Sequence, residues 1–209
     1  MPSITRKTQS SRNERRGEIR DRLRAAVEQL LTDDVSYTEL GVERLVREAG
    51  ISRATFYVYF RDKGDLLQAL VEDFMERIFR AASVWWELPA DATKDDLRGA
   101  LQAIFDAYLP HKTVMAAVVE VASYDPSLRE RFGNLVQGTI DGVAAHIARG
   151  QEQGFVDPDL DPKSTAAWLT WMAERGRYQI VAPAREDELD RLLGALTYIT
   201  WNTLYVRAR

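Results

Sequence analysis

Residues Gly50–Lys63 read G-I-S-R-A-T-F-Y-V-Y-F-R-D-K, and no other run in the chain carries as strong a local signal. Gly50 suits the left-handed turn that ends one helix. Ser52 is placed to cap the next helix by accepting the backbone N–H near Thr55. Phe56 and Phe60 lie one helical turn apart and can bury together, which leaves Arg53, Ala54, Thr55, Tyr57 and Tyr59 on the free side. Asp62 then caps a further helix opened by Lys63. A helix this short, with polar and aromatic groups on its free side, makes a poor core element and a good probe for a DNA major groove.

The residues before it complete a unit. Ile19, Leu23, Ala26, Val27, Leu30 and Leu31 recur at helical spacing, so 17–32 is predicted to be an amphipathic first helix. Val42, Leu45, Val46 and Ala49 give a shorter second helix that stops at Gly50. A generic aromatic helical hairpin fits part of this pattern, and recombinases and sigma factors carry such hairpins, but not usually with this exit. From Leu45 to Leu67 the chain reads L-x-x-x-A-G-I-S-R-A-T-F-Y-x-Y-F-x-D-K-x-x-L-L without a gap. That run resembles the signature of the TetR family of one-component bacterial regulators.

At 209 residues, with 45% apolar residues, the chain can hold a small DNA-binding unit and one larger helical domain. There are no cysteines, so disulfides, thiolate metal sites and thiol redox sensing are excluded. No stretch approaches about eighteen uninterrupted apolar residues, and the start of the chain is basic without an apolar core. A cytoplasmic location is the expectation. Only two histidines, His111 and His146, are present, in no metal-ligand spacing and beside no nucleophile motif. Neither a Gly-rich phosphate loop nor a G-x-S-x-G elbow appears, so no cofactor, metal or catalytic activity is expected.

The net charge of −4 hides a division. Residues 1–24 hold eight Lys or Arg (Arg6, Lys7, Arg12, Arg15, Arg16, Arg20, Arg22, Arg24) against Glu14, Glu18 and Asp21, a net of +5. Residues 1–63 net +3, which leaves −7 for 64–209. A basic front end meets phosphates, while an acidic body is kept away from them. The Arg-rich start is read as an arm that is either solvated or settles along DNA on binding.

The resemblance implies roles for the DNA-binding residues. Arg53, Ala54 and Thr55, behind the Ser52 cap, would meet base edges, Arg53 through a bidentate contact with guanine and the two methyl-bearing residues through thymine methyls. Tyr57 and Tyr59 would contact phosphates, Tyr57 a base as well. Lys63, at a helix N-terminus, would favour a phosphate. Glu43 departs from the helpful pattern, since other members often offer a cation or hydroxyl there, and Arg44 and Arg47 are the compensating cations.

Beyond Lys63 the spacing predicts helices over 63–85, 95–109, 113–124, 126–154, 162–181 and 186–207, with no strand and no repeat. The fold class is all-α, with about nine helices. The expected division is a basic arm (1–16), a helix-turn-helix domain (17–62) and a helical ligand-binding and dimerisation domain (63–209). Trp168, Leu169, Met172, Leu189, Leu192, Leu193, Leu196, Ile199 and Leu204 exceed what one small domain hides between its last two helices. In the family the corresponding pair packs against its two-fold copy, so a homodimer on a palindromic double-stranded operator is implied.

A ligand cavity is read in the body. Phe74, Ile104, Phe105, Tyr108, Phe132, Val136, Thr139, Thr170, Tyr178 and Trp201 are its candidate lining, joined by Ile78, Trp85, Met115 and Val143. His111-Lys112, the M-x-E-R of Met172–Arg175 and T-W-x-T-x-x-Y at Thr200–Tyr205 are similar to a mycobacterial branch of the family that represses an ethionamide-activating monooxygenase and holds a hydrophobic tunnel here. Thr170 and Ala173 stand where that branch carries amides, so its ligand preference is not transferred. Glu174 and Arg175 read as a structural pair. The implied function is a repressor released from its operator by a small apolar ligand. The alternative is a DNA-binding regulator with no small-molecule effector, controlled by a protein partner or by abundance.

Overall fold

The computed structural model describes residues 4–31 and 35–205, with side chains from residue 15 onward. Nine α-helices account for most of them, and among the described residues there is no strand. The chain divides into two compact units: residues up to Asp73 with Thr113–Arg129, and Phe74–Lys112 with Glu130 onward.

The first unit holds α1 (Ile4–Leu30), α2 (Val42–Glu48), α3 (Arg53–Tyr59), the start of α4 (Lys63–Trp86), nearly all of α6 (Lys112–Ala122) and the start of α7 (Pro126–Gln153). Its centre is apolar, with Leu23, Val27, Leu45, Phe56, Leu66 and Leu67 fully buried. α1 begins at Ile4, well before the expected start at Gly17, so the backbone of the basic arm from Ile4 onward is helical. Nothing between Ile4 and Arg16 breaks a helix, and one glycine inside it costs only about 1 kcal/mol. The side chains of Arg6, Lys7 and Arg12 lie outside the described residues.

The second unit is built from the rest of α4, α5 (Lys94–Tyr108), most of α7, α8 (Pro162–Gly176) and α9 (Glu186–Leu204). Thr93 and Asp96 close a capping box at the start of α5. Asp161 accepts the Ser164 N–H at 2.8 Å and Pro162 occupies the first helical turn, which starts α8. Gly154, at φ 80, ends α7. The expected helix over 162–181 is α-helical only to Gly176 and finishes as a π turn, Arg177–Val181. α9 packs along α5 and ends at Leu204, short of the expected 207.

A buried polar chain that sequence reading did not anticipate sits in this unit. His146 has 0% exposure. Its Nδ1 lies 3.1 Å from the Trp86 carbonyl and its Nε2 2.9 Å from the Tyr205 hydroxyl, which in turn is 3.0 Å from the Trp85 indole nitrogen. An indole N–H only donates and a carbonyl only accepts, so Trp85 donates to Tyr205 and the Nδ1–H of His146 to Trp86; a neutral imidazole then accepts the Tyr205 O–H at Nε2. Burial holds its pKa below the ordinary histidine value, reinforced by nearby Arg149 and partly opposed by the Trp86 carbonyl.

Candidate functional site

Gly50 adopts φ 60, the left-handed turn the sequence required. The Ile51 N–H reaches back to the Val46 carbonyl at 2.9 Å, and Arg22 of α1 donates to the Gly50 carbonyl at 2.5 Å. Ser52 caps α3, its hydroxyl accepting the Thr55 N–H at 3.0 Å and meeting the Thr55 hydroxyl at 2.8 Å. Phe56 and Phe60 turn inward with ring centroids 5.7 Å apart. That leaves Ser52, Arg53, Ala54, Tyr57 and Arg44 exposed, while Thr55 and Tyr59 are half-buried.

Arg53 is not a solitary cation. Its guanidinium pairs with Glu43 of α2 at 2.9 Å and stands over the Tyr57 ring at 5.6 Å. Glu43, which the sequence marked only as an obstacle to phosphate contact, thus holds one side of the Arg53 fork. Arg53 remains 59% exposed at its side chain, so the assembly faces outward as one exposed patch.

Lys63 requires a correction. Its ammonium donates to the carbonyls of Tyr37 (3.1 Å), Leu40 (3.1 Å) and Thr38. All three N–H bonds are spent on the α1–α2 connection, so the expected ammonium–phosphate contact is not offered by this geometry. Desolvation lowers its pKa, against an opposing pull from Glu120. Tyr37, which the sequence did not single out, is 1% exposed and donates its hydroxyl to the Lys63 carbonyl at 2.6 Å. Glu120 of α6 receives the Tyr37 and Thr38 N–H groups.

The second unit encloses a cavity with a free volume of about 40 Å3. Of the expected lining, Ile104, Phe105, Val136, Thr139 and Thr170 are present, with Ile78 and Trp85 beside them. Phe74, Tyr108, Phe132, Tyr178 and Trp201 do not line it. Phe74 packs its ring edge-on against Tyr108, and Trp201 lies tilted against Tyr205 with ring centroids 4.6 Å apart, inside the His146 cluster. Met75, Ala82, Leu101, Leu169 and Leu196 complete the apolar wall, and Glu174 and Arg177 join it. Glu174 is 6% exposed, and its Oε2 pairs with Arg175 at 4.0 Å. A cleft of about 150 Å3 shares Phe105, Ala173, Arg177 and Leu196 with the cavity and reaches Met172, Ile180 and Ile199, which are exposed.

Residues 23–70, which span this helix-turn-helix, match the family model for bacterial regulatory proteins of the tetR family. Residues 97–206, more than half the chain, match the C-terminal domain of the transcriptional regulator EthR. The chain belongs to the TetR family. It is similar to the HTH-type transcriptional regulator EthR of Mycolicibacterium smegmatis, 28% identical over 191 residues, 90% of this chain and 88% of that one. Its similarity to EthR of Mycobacterium tuberculosis H37Rv is 26% over the same coverage. A transcriptional regulator from Saccharomonospora viridis, solved in complex with choline, shares the fold with a TM-score of 0.69 and 20% identity over 91% of this chain and 100% of that one. As a TetR-family protein the chain is a helix-turn-helix, DNA-binding transcriptional regulator. No described helix is long and apolar enough to cross a membrane.

Proposed function

We propose that this protein is a homodimeric repressor, released from a palindromic operator by a small, largely apolar ligand that enters the cavity of the second unit. The observation that carries the reading is an apolar-walled cavity with two buried polar atoms, Thr170 Oγ1 and Glu174 Oε2, that make no hydrogen bond on its α8 side. Ligand sites combine apolar walls with sparse polar handles in this way. Arg53, Ala54 and Thr55 are the base readers, with Arg44, Ser52, Tyr57 and Tyr59 positioning the head on phosphates.

Dimerisation is supported by the free face of α8 and α9. Trp168 is 79% exposed, Tyr198 57% and Ile199 45%, while Leu193 and Leu204 on the other face are buried. A palindromic operator presents half-sites about 34–36 Å apart, so reading it takes two copies of the head.

The cavity's small volume supports release by rearrangement. It has room for little more than water, so an organic ligand must part the walls and favour a different conformation. α4 contributes Met75, Ile78, Ala82 and Trp85 to those walls and Lys63 to the reading unit, so a displaced wall acts on a helix that continues into the head. A nearly complete switch needs about 5.5 kcal/mol of differential binding. Roughly 200 Å2 of extra apolar burial at about 25 cal/mol per Å2 is of that order.

The test is selection of bound duplexes from a random library, then titration of the selected operator complex with apolar compounds. An enriched palindrome released by a compound that also raises the melting temperature supports the proposal. An enriched palindrome that no compound releases would favour a regulator governed by a protein partner or by abundance. No enrichment at all would overturn sequence-specific reading by this head.

A further inference from the structure

Thr170, Glu174 and Arg177 follow one another at intervals of four and three residues, which puts them on one stripe of α8 and its continuation. All three line the cavity, opposite a wall of Met75, Ile78, Leu101 and Val136. Thr170 is 7% exposed and Glu174 6%, and Thr170 Oγ1 and Glu174 Oε2 have no hydrogen-bond partner. Tyr108 of α5 is 3% exposed, its hydroxyl is also unpartnered, and the Arg177 guanidinium stands over its ring at 5.9 Å. Buried polar atoms are normally satisfied, and the Thr170 hydroxyl and the Glu174 carboxylate, on the same cavity-lining stripe as the Arg177 cation, form a built polar end. Arg177 is also the residue at which α8 gives way to a π turn, a local insertion that recurs at functional sites.

We propose that this polar end selects an amphiphile with an anionic head, a medium-chain carboxylate being the simplest, held by Arg177 with the hydroxyl of Thr170. The sign follows from which charge is permanent. A guanidinium keeps its proton even when buried, whereas a carboxyl can take one up. Burial pushes the Glu174 carboxyl above its ordinary range, against the opposing pull of Arg175 and Arg177, and lowers Arg177 without removing its charge. A cationic head would face the Arg177 charge directly. An anionic head meets that charge and the Thr170 O–H, and a protonated Glu174 adds a second donor. The apolar tail lies along the opposite wall and toward the cleft between Met172 and Ile199.

This inference rests on the cavity being the effector site, and the experiment separates the two. Full-length protein is titrated calorimetrically with decanoate, decan-1-ol and decylamine, each below its micellar concentration, and each is then added to the operator complex. Decanoate is expected to bind at least about tenfold more tightly than the other two. Arg177→Met should remove that advantage while leaving decanol affinity nearly unchanged. Thr170→Val, nearly isosteric, should weaken decanoate several-fold and serves as the second variant if Arg177→Met does not fold. Equal or tighter binding of decanol or decylamine, decanoate affinity unaffected by both substitutions, or no binding by any of the three would overturn the proposal. Decanoate that binds through Arg177 yet leaves the operator complex intact would uphold the head-group assignment and refute ligand-driven release.

Discussion

Trp168→Ser separates the proposed dimer face of α8 from its core face. Trp168 is 79% exposed in the single chain, so it contributes almost nothing to the fold of one copy. A buried tryptophan covers about 150–250 Å2. Most of that area is free here, and at about 25 cal/mol per Å2 its burial against a second copy has a ceiling near 4–5 kcal/mol. Interfaces return less than area predicts, and central tryptophans measured by truncation reach about 2–4 kcal/mol. The two-fold doubles this, so the dimer constant should weaken by roughly a thousandfold or more. Sedimentation across a dilution series should report the dimer for the wild type and the monomer for the variant, with helicity unchanged. Leu193→Ala, on the buried side of α9, is the control. It should lower the melting temperature through a loss of about 2–5 kcal/mol without freeing the monomer selectively. A Trp168→Ser protein that sediments as a wild-type-like dimer at every concentration would refute the assignment of this face.

Three further outcomes are expected. The folded state holds His146 neutral with its pKa below the ordinary value of about 6.5, so the unfolded chain binds more protons between the two values. Stability is complete above about pH 7 and falls as the pH drops below about 6.5, and thermal melting of His146→Gln should lose that dependence on acid while starting less stable by about 1–3 kcal/mol. Gly50→Ala forces a side chain into φ 60 and brings its Cβ to 2.9 Å from the Arg22 guanidinium; urea unfolding should show a loss of at least about 1–2 kcal/mol, and an unchanged midpoint would contradict the left-handed turn. Glu43→Gln frees Arg53 and removes one negative charge per head, so operator affinity at low salt should rise by up to about tenfold while base preference under Arg53 broadens; library selection reads both, and a weaker complex would show that Glu43 assists binding.

What the sequence made legible was local. The Gly50 turn, the Ser52 cap and the inward Phe56–Phe60 pair all lie within a few residues of one another, where propensity and spacing decide the outcome. The fastening of the Lys63 ammonium was not legible because its carbonyl partners belong to a loop more than twenty residues away that has no periodic signal. The cavity was read in part for a similar reason. Helical spacing marks Phe132 and Trp201 as apolar positions but cannot say which neighbours they meet. Glu174 looked like one half of an ordinary surface pair with Arg175, yet it is turned inward. The stripe that would have exposed it, Thr170-Glu174-Arg177, becomes visible only when polar residues are tested for helical spacing as apolar ones are.

The Lys63 fastening has a mechanical consequence for how such a head lets go of DNA. One ammonium ties the opening turn of α4 to the α1–α2 loop, the Tyr37 hydroxyl ties the loop back to the same turn, and Glu120 grips that loop from α6. Three cross-links at one joint make it behave as a weld rather than a hinge. On the proposed release through α4, such a joint would keep the reading unit a single body, with the α3 hydrogen bonds intact. Amide exchange in 52–60 should accordingly be as slow in the released protein as in the competent one, because the proposed release leaves the head's internal order untouched.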